Sequence, residues 1–255
     1  MARDYRTEFS DEFKKLDKRF NGVESYVKGL ASGKYRSLII NGHPGIGKTH
    51  SVSKFLEQNA SKSDYIVLSG RVSLLALYAT LHAFKSKGKV VVLDDVDSVF
   101  SDVQGLNILK AAMDTTSTRK IYWASTTGKL NTMSLPDNFL FNGGVILISN
   151  VGFGGGSGRL VTHLKALKDR SYCVPIADSG DDSLFKQICY MVLERGLMTE
   201  LGVAINDQIM LLEYIEKNID ELNTVSLRTV VKLVDIFIKD PSDWKEMADL
   251  GMLKA

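Results

Sequence analysis

Residues 42–49 read Gly-His-Pro-Gly-Ile-Gly-Lys-Thr, which satisfies the pattern Gly-x-x-x-x-Gly-Lys-[Ser/Thr] in full. The chemistry served by that spacing is a grip on linked phosphates. Gly42, Gly45 and Gly47 let the backbone wrap an anion without Cβ clashes, so that successive N–H groups point at it. Lys48 brings a cation within reach of the β- and γ-phosphates, and the Thr49 hydroxyl is a hard oxygen ligand for Mg²⁺. His43, Pro44, Ile46 and His50 complete the candidate loop. The ligand implied is a nucleoside triphosphate.

A second cluster lies at 89–97, Lys-Val-Val-Val-Leu-Asp-Asp-Val-Asp. Its apolar run ends in paired carboxylates, and open α/β sheets place their ligands at the carboxyl ends of strands. Asp94 is the candidate partner of Mg²⁺, and Asp95 is the candidate group that polarises an attacking water. Phosphoryl transfer asks the protein for positioning and charge neutralisation, which these groups supply.

The elements that must hold these residues are legible as apolar segments. Five read as parallel strands: Leu38–Asn41, Tyr65–Ser69, Val90–Asp94, Val145–Ser149 and Tyr172–Ile176, with intervals long enough for crossover helices. Beyond Asp178 the pattern turns helical, over Leu184–Arg195, Gln208–Lys217, Leu227–Lys239 and Ser242–Leu250. The expected organisation is a helical segment at 1–36, an α/β core at 37–178 and a helical lid at 179–255, with Ser-Gly-Asp-Asp at 179–182 as a hinge.

The 32 basic residues nearly balance 30 acidic ones, so any nucleic-acid contact must come from a local patch. Cys173 and Cys189 lack metal-like spacing and read as reduced thiols. The sequence shows neither a signal core nor a membrane span, so a cytoplasmic location without membrane partners is the expectation.

The order of these motifs resembles that of the AAA+ ATPase superfamily from about Leu38 to Ile238. The resemblance implies an α/β P-loop NTPase with a five-stranded parallel sheet core and a carboxy-terminal helical lid, using ATP with Mg²⁺ and working as a homo-oligomer, in the usual form a hexameric ring. It assigns Asn150, at the end of the fourth strand, to orienting the hydrolytic water. It assigns Arg170, after the following helix, to a neighbouring subunit's nucleotide, with Arg159 as the alternative. Arg228, behind the helix-capping Ser226, is assigned to the γ-phosphate. One residue departs from the family, which usually carries Glu where this chain has Asp95. The shorter side chain implies slow hydrolysis or help from Asp97.

Two short aromatic segments, 119–125 and 135–141, flank a Gly128-Lys129 turn and read as a hairpin inserted before the fourth strand. That insertion resembles the pre-sensor-1 hairpin of a branch holding both helicases and MoxR-type remodelers. Arg71 follows the second strand, where protein-threading relatives carry an aromatic residue. The expectation is therefore a motor on DNA or DNA–protein complexes; the phrases Leu-Pro-Asp-Asn-Phe-Leu-Phe at 135–141, Gly-Gly-Val-Ile-Leu-Ile-Ser-Asn at 143–150 and His-Leu-Lys-Ala-Leu-Lys-Asp-Arg at 163–170 together also resemble compact phage-encoded AAA+ ATPases. The alternatives are a MoxR-like chaperone acting on a protein partner and a helicase- or clamp-loader-like ATP switch.

Overall fold

Five apolar segments pair as a single parallel sheet in the computed structural model, which describes residues 3–100, 102–123, 130, 133–150, 159–176 and 181–254, excepting the side chains of 97, 100, 159–161 and 181–182. The glycine-rich loop at 151–158, Gly128, Lys129 and the first two residues of the expected hinge lie outside the described residues. The strands are β1 (Ser37–Asn41), β2 (Tyr65–Ser69), β3 (Val90–Asp94), β6 (Gly144–Ser149) and β7 (Tyr172–Pro175), in spatial order β2-β3-β6-β1-β7. The three inner strands are buried almost throughout, which explains their unbroken Val, Ile and Leu runs. Antiparallel β4 (Lys120–Tyr122) and β5 (Asn138–Leu140) form the expected hairpin, with Ile121 opposite Phe139.

The helices in chain order are α1 (Tyr5–Glu8), α2 (Ser10–Ala31), α3 (Lys48–Asn59), α4 (Leu74–Ala83), α5 (Asp97–Phe100), α6 (Val103–Ala112), α7 (Arg159–Asp169), α8 (Asp181–Leu193), α9 (Leu197–Glu200), α10 (Ile205–Lys217), α11 (Leu227–Lys239) and α12 (Trp244–Met252). Among the described residues no helix is long and apolar enough to cross a membrane. The boundaries of the four helices expected beyond Asp178 all fall within three residues of expectation. Ser242 stays out of α12 because its hydroxyl and the Asp243 N–H both bond the Asp240 carboxylate, a turn that competes with helix. The short α9 was not expected; a single four-residue turn behind Gly196, itself at φ 74°, has no periodicity to read.

By its contacts the chain divides into two compact units, one made of residues 20–42 and 48–175, the other of 1–19, 43–47 and 176–255. The first contains the sheet. Its core joins Val91, Leu93, Val145 and Leu147 of the strands to Leu77 and Leu81 of α4 and to Leu106 and Leu109 of α6. Phe139 and Phe141 of the hairpin region enter that core, whereas Tyr122 is 59% exposed. Arg119 enters it too. It is buried, stacks on Phe141 and donates to the carbonyls of Ala112 and Gly143. Buried in this way, its guanidinium contributes nothing to the basic surface beside Lys120.

The second unit is helical, and the rings of Tyr5, Phe9 and Phe185 pack together, as do Phe13 and Tyr190. Cys189 is buried here, where desolvation pushes its thiol well above the ordinary range. Residues 43–47, the apex of the glycine-rich loop, belong to this unit.

Candidate nucleotide-binding site

Strand register brings the chemistry together. Asn41, at the end of β1, pairs with Ser149, and Asp94, at the end of β3, pairs with Ile148. Because β6 lies between β1 and β3, the residue that follows it, Asn150, comes between the flanks of the glycine-rich loop and the paired carboxylates. Its side chain spans that gap. Oδ1 accepts from Lys48 Nζ at 2.7 Å, and Nδ2 donates to Asp95 Oδ1 at 2.7 Å.

Lys48 opens α3, is 5% exposed, and donates to the Gly42 carbonyl at 2.8 Å. Its ammonium is thus held beside Gly42, just past the end of β1. The next residue, Thr49, donates its hydroxyl to Asp94 Oδ2 at 2.8 Å. A hydroxyl beside a carboxylate is a donor set that suits Mg²⁺, which takes one or two protein oxygens and completes its shell with phosphate and water. Asp95 is exposed and sits in the left-handed backbone region at φ 50°. Asp tolerates that region better than most residues.

The loop apex is built in the helical unit. Gly45 and Gly47 have φ of 75° and 87°, and a Cβ on Gly45 would lie 2.7 Å from Ser226 Cβ. Ser226 caps α11 as the sequence predicts, its hydroxyl accepting from the Thr229 N–H. The Leu227 N–H donates to the Gly45 carbonyl at 2.7 Å. Arg228, one residue further on, is exposed, so its charge stands next to the residue that docks on the loop. Ile46 is buried, while His43, Pro44 and His50 are exposed.

Arg170 stands elsewhere. The Ser37 hydroxyl donates to its carbonyl, which places it beside the start of β1, whereas the loop follows that strand's other end, about 13 Å along. Its Nη1 donates to Ala166 O at 2.8 Å and its Nε is buried without a partner among the described residues. Lys34, Arg36 and Tyr172 line the same cleft, which has a volume of about 330 Å³. Of Arg159 only the backbone, at the start of α7, is described.

Two features escaped the sequence. Gln187 donates to the Ile46 carbonyl at 2.9 Å; its only signal was a lone amide amid apolar neighbours. The left-handed Asp95 leaves no signal at all.

No family model matches the chain. It is similar to an uncharacterized 36.7 kDa protein in the nrdC–mobD intergenic region of Enterobacteria phage T4, at 32% identity over 245 residues, 94% of this chain and 75% of that protein. Among solved structures it is similar to a DNA replication initiation factor, at 15% identity and a TM-score of 0.47, spanning 92% of this chain and 64% of that one. Domain III of the Thermotoga maritima replication initiation protein DnaA gives 15% identity and a TM-score of 0.47, over 91% and 90% of the two chains. C. elegans PCH-2 gives 18% identity and a TM-score of 0.41, over 91% and 67%.

Proposed function

The chain belongs to the family of the phage T4 36.7 kDa protein, and on that premise we propose that it is an ATPase of the AAA+ type, an ATP-hydrolysing motor. The observation that carries the proposal is the continuous array Lys48–Asn150–Asp95 beside the Thr49–Asp94 pair, all at the carboxyl ends of adjacent strands. Lys48 and the loop N–H groups hold the phosphates. Thr49 and Asp94 hold Mg²⁺, which supplies charge neutralisation to the β- and γ-phosphates when bound. Asp95 accepts a proton from, or aligns, the attacking water, and Asn150 fixes the Asp95 carboxylate. Arg228 senses the γ-phosphate, and residues 179–255 act as the lid of the 37–178 core.

The position of Arg170 at the opposite end of β1 supports service to a neighbouring subunit, and hence an oligomer, for which a hexameric ring is the simplest closed form. DNA is the favoured substrate. Lys120 Nζ lies 4.9 Å over the exposed ring of Tyr122, a cation and a stacking surface presented together on the hairpin. Arg71 is exposed on a loop pinned by two hydrogen bonds between Val72 and Ser98.

The test is Mg²⁺-dependent ATP binding and turnover, with and without DNA. Lys48→Ala should abolish binding, Asp94→Ala should remove its Mg²⁺ dependence, and Asp95→Asn should bind ATP without turning it over. Wild-type protein that neither binds nor hydrolyses ATP defeats the proposal. Stimulation by a protein partner alone would favour a remodeling chaperone.

A further inference from the structure

Helix α8 is apolar over most of its length, with Leu184, Phe185, Ile188, Cys189, Met191 and Val192 all buried. Gln187 sits among them at 1% exposure. Its Nε2 donates to the Ile46 carbonyl at 2.9 Å, and its Oε1 has no partner among the described residues. A buried amide with half its capacity unmade is costly, and a methionine of similar volume would pack there without that cost. The bond that Gln187 makes to Ile46 therefore demands a reason.

The reason lies in peptide geometry. In a trans peptide the C=O and N–H point in opposite directions, so holding one aims the other. Gln187, bonded to Ile46 O, directs the Gly47 N–H away from itself. The Leu227 N–H, bonded to Gly45 O, does the same for the Ile46 N–H. Both peptides adjoin glycines in the left-handed region, where the backbone has other conformations open to it.

We propose that Gln187 is a positioning residue of the phosphate loop, presetting the Gly47 N–H to meet the phosphates of a nucleoside di- or triphosphate. The inference rests on the reading of residues 42–49 as a nucleotide site. It assigns to α8 a part in ligand affinity that is separate from the sensing role of Arg228.

The probe is MgADP, titrated calorimetrically into the full chain. Gln187→Met should weaken binding about tenfold, the scale of one hydrogen bond, while leaving the folded protein's circular dichroism unchanged. Gln187→Glu separates positioning from packing. A protonated carboxyl can donate to Ile46 O and a carboxylate repels it, so affinity relative to wild type should recover as the pH is lowered from about 9 to 6, burial having raised the carboxyl's pKa. In the wild type, the Gln187 side-chain amide resonances should shift when MgADP saturates the site. Wild-type affinity in both variants at every pH, or an amide signal unmoved at saturation, overturns the proposal without recourse to variants that fold poorly. A wild type that binds no nucleotide instead overturns the reading of the site itself.

Discussion

The Asn150 side-chain amide donates to the Asp95 carboxylate at 2.7 Å, so one short polar residue at the end of β6 sets the direction of the candidate base at the end of β3. Asn150→Ala should retain MgATP binding, because Lys48 keeps its bond to Gly42 O. Turnover should fall by about 10²-fold, the cost of a reacting group misplaced by about 1 Å. Single-turnover rates at saturating ATP measure this, and an unchanged rate would mean that Asp95 needs no guide.

A charge supplied across a subunit boundary can be restored by mixing. Arg170→Ala should bind ATP normally and hydrolyse it poorly, since its charge is needed chiefly in the transition state. Oligomers mixed from Arg170→Ala and Lys48→Ala chains should regain part of the activity wherever an intact loop meets an intact Arg170. Verified co-assembly without any regain assigns Arg170 to its own chain.

Neighbouring arginine and lysine should separate by effect. Neutralising Arg71, Lys120 and Lys129 together should weaken DNA binding, flatten its salt dependence and spare basal ATPase. Arg119→Met should do the reverse, costing about 2–4 kcal/mol of stability because the Ala112 and Gly143 carbonyls lose a buried charged donor. Denaturant titration and DNA binding on the same preparations decide it. A destabilised triple variant, or loss of DNA binding in a folded Arg119→Met, contradicts the division.

His82 gives a pH signature. Its ring meets Phe139 edge-on at a centroid distance of 5.0 Å, and burial, followed by the nearby Lys85 charge, holds its pKa below 6.5. A depressed folded-state pKa means the unfolded chain takes the proton first, so this contribution is whole above pH 6.5 and declines as pH falls below it. Wild-type melting temperature should therefore drop more between pH 7.5 and pH 5 than that of His82→Gln. Parallel curves for the two proteins would remove His82 from the pH response.

Much of this was readable because the signals were local. The inner strands announce themselves through runs such as Val90–Leu93, and Ser226 marks the start of α11 as an N-cap. Strand order was not readable: nothing in Val145–Ser149 says that it pairs between β1 and β3, yet that placement alone lets Asn150 touch both Lys48 and Asp95. Arg119 and Lys120 are adjacent cations in sequence, and only the hairpin's register sends one inward and the other out. Gln187 depends on a carbonyl 141 residues away, a separation that no periodicity reports.

The φ of 50° at Asp95 places two selections on one position. Glycine and asparagine suit that backbone, yet neither offers a carboxylate. Glutamate keeps the charge and lengthens it, at the expense of a conformation its Cβ resists. A complete substitution series at position 95 should therefore rank residues by folding and by turnover in opposing orders, with aspartate as the compromise between them. Divergence at this position would then follow the shape of the chain as much as the demands of hydrolysis.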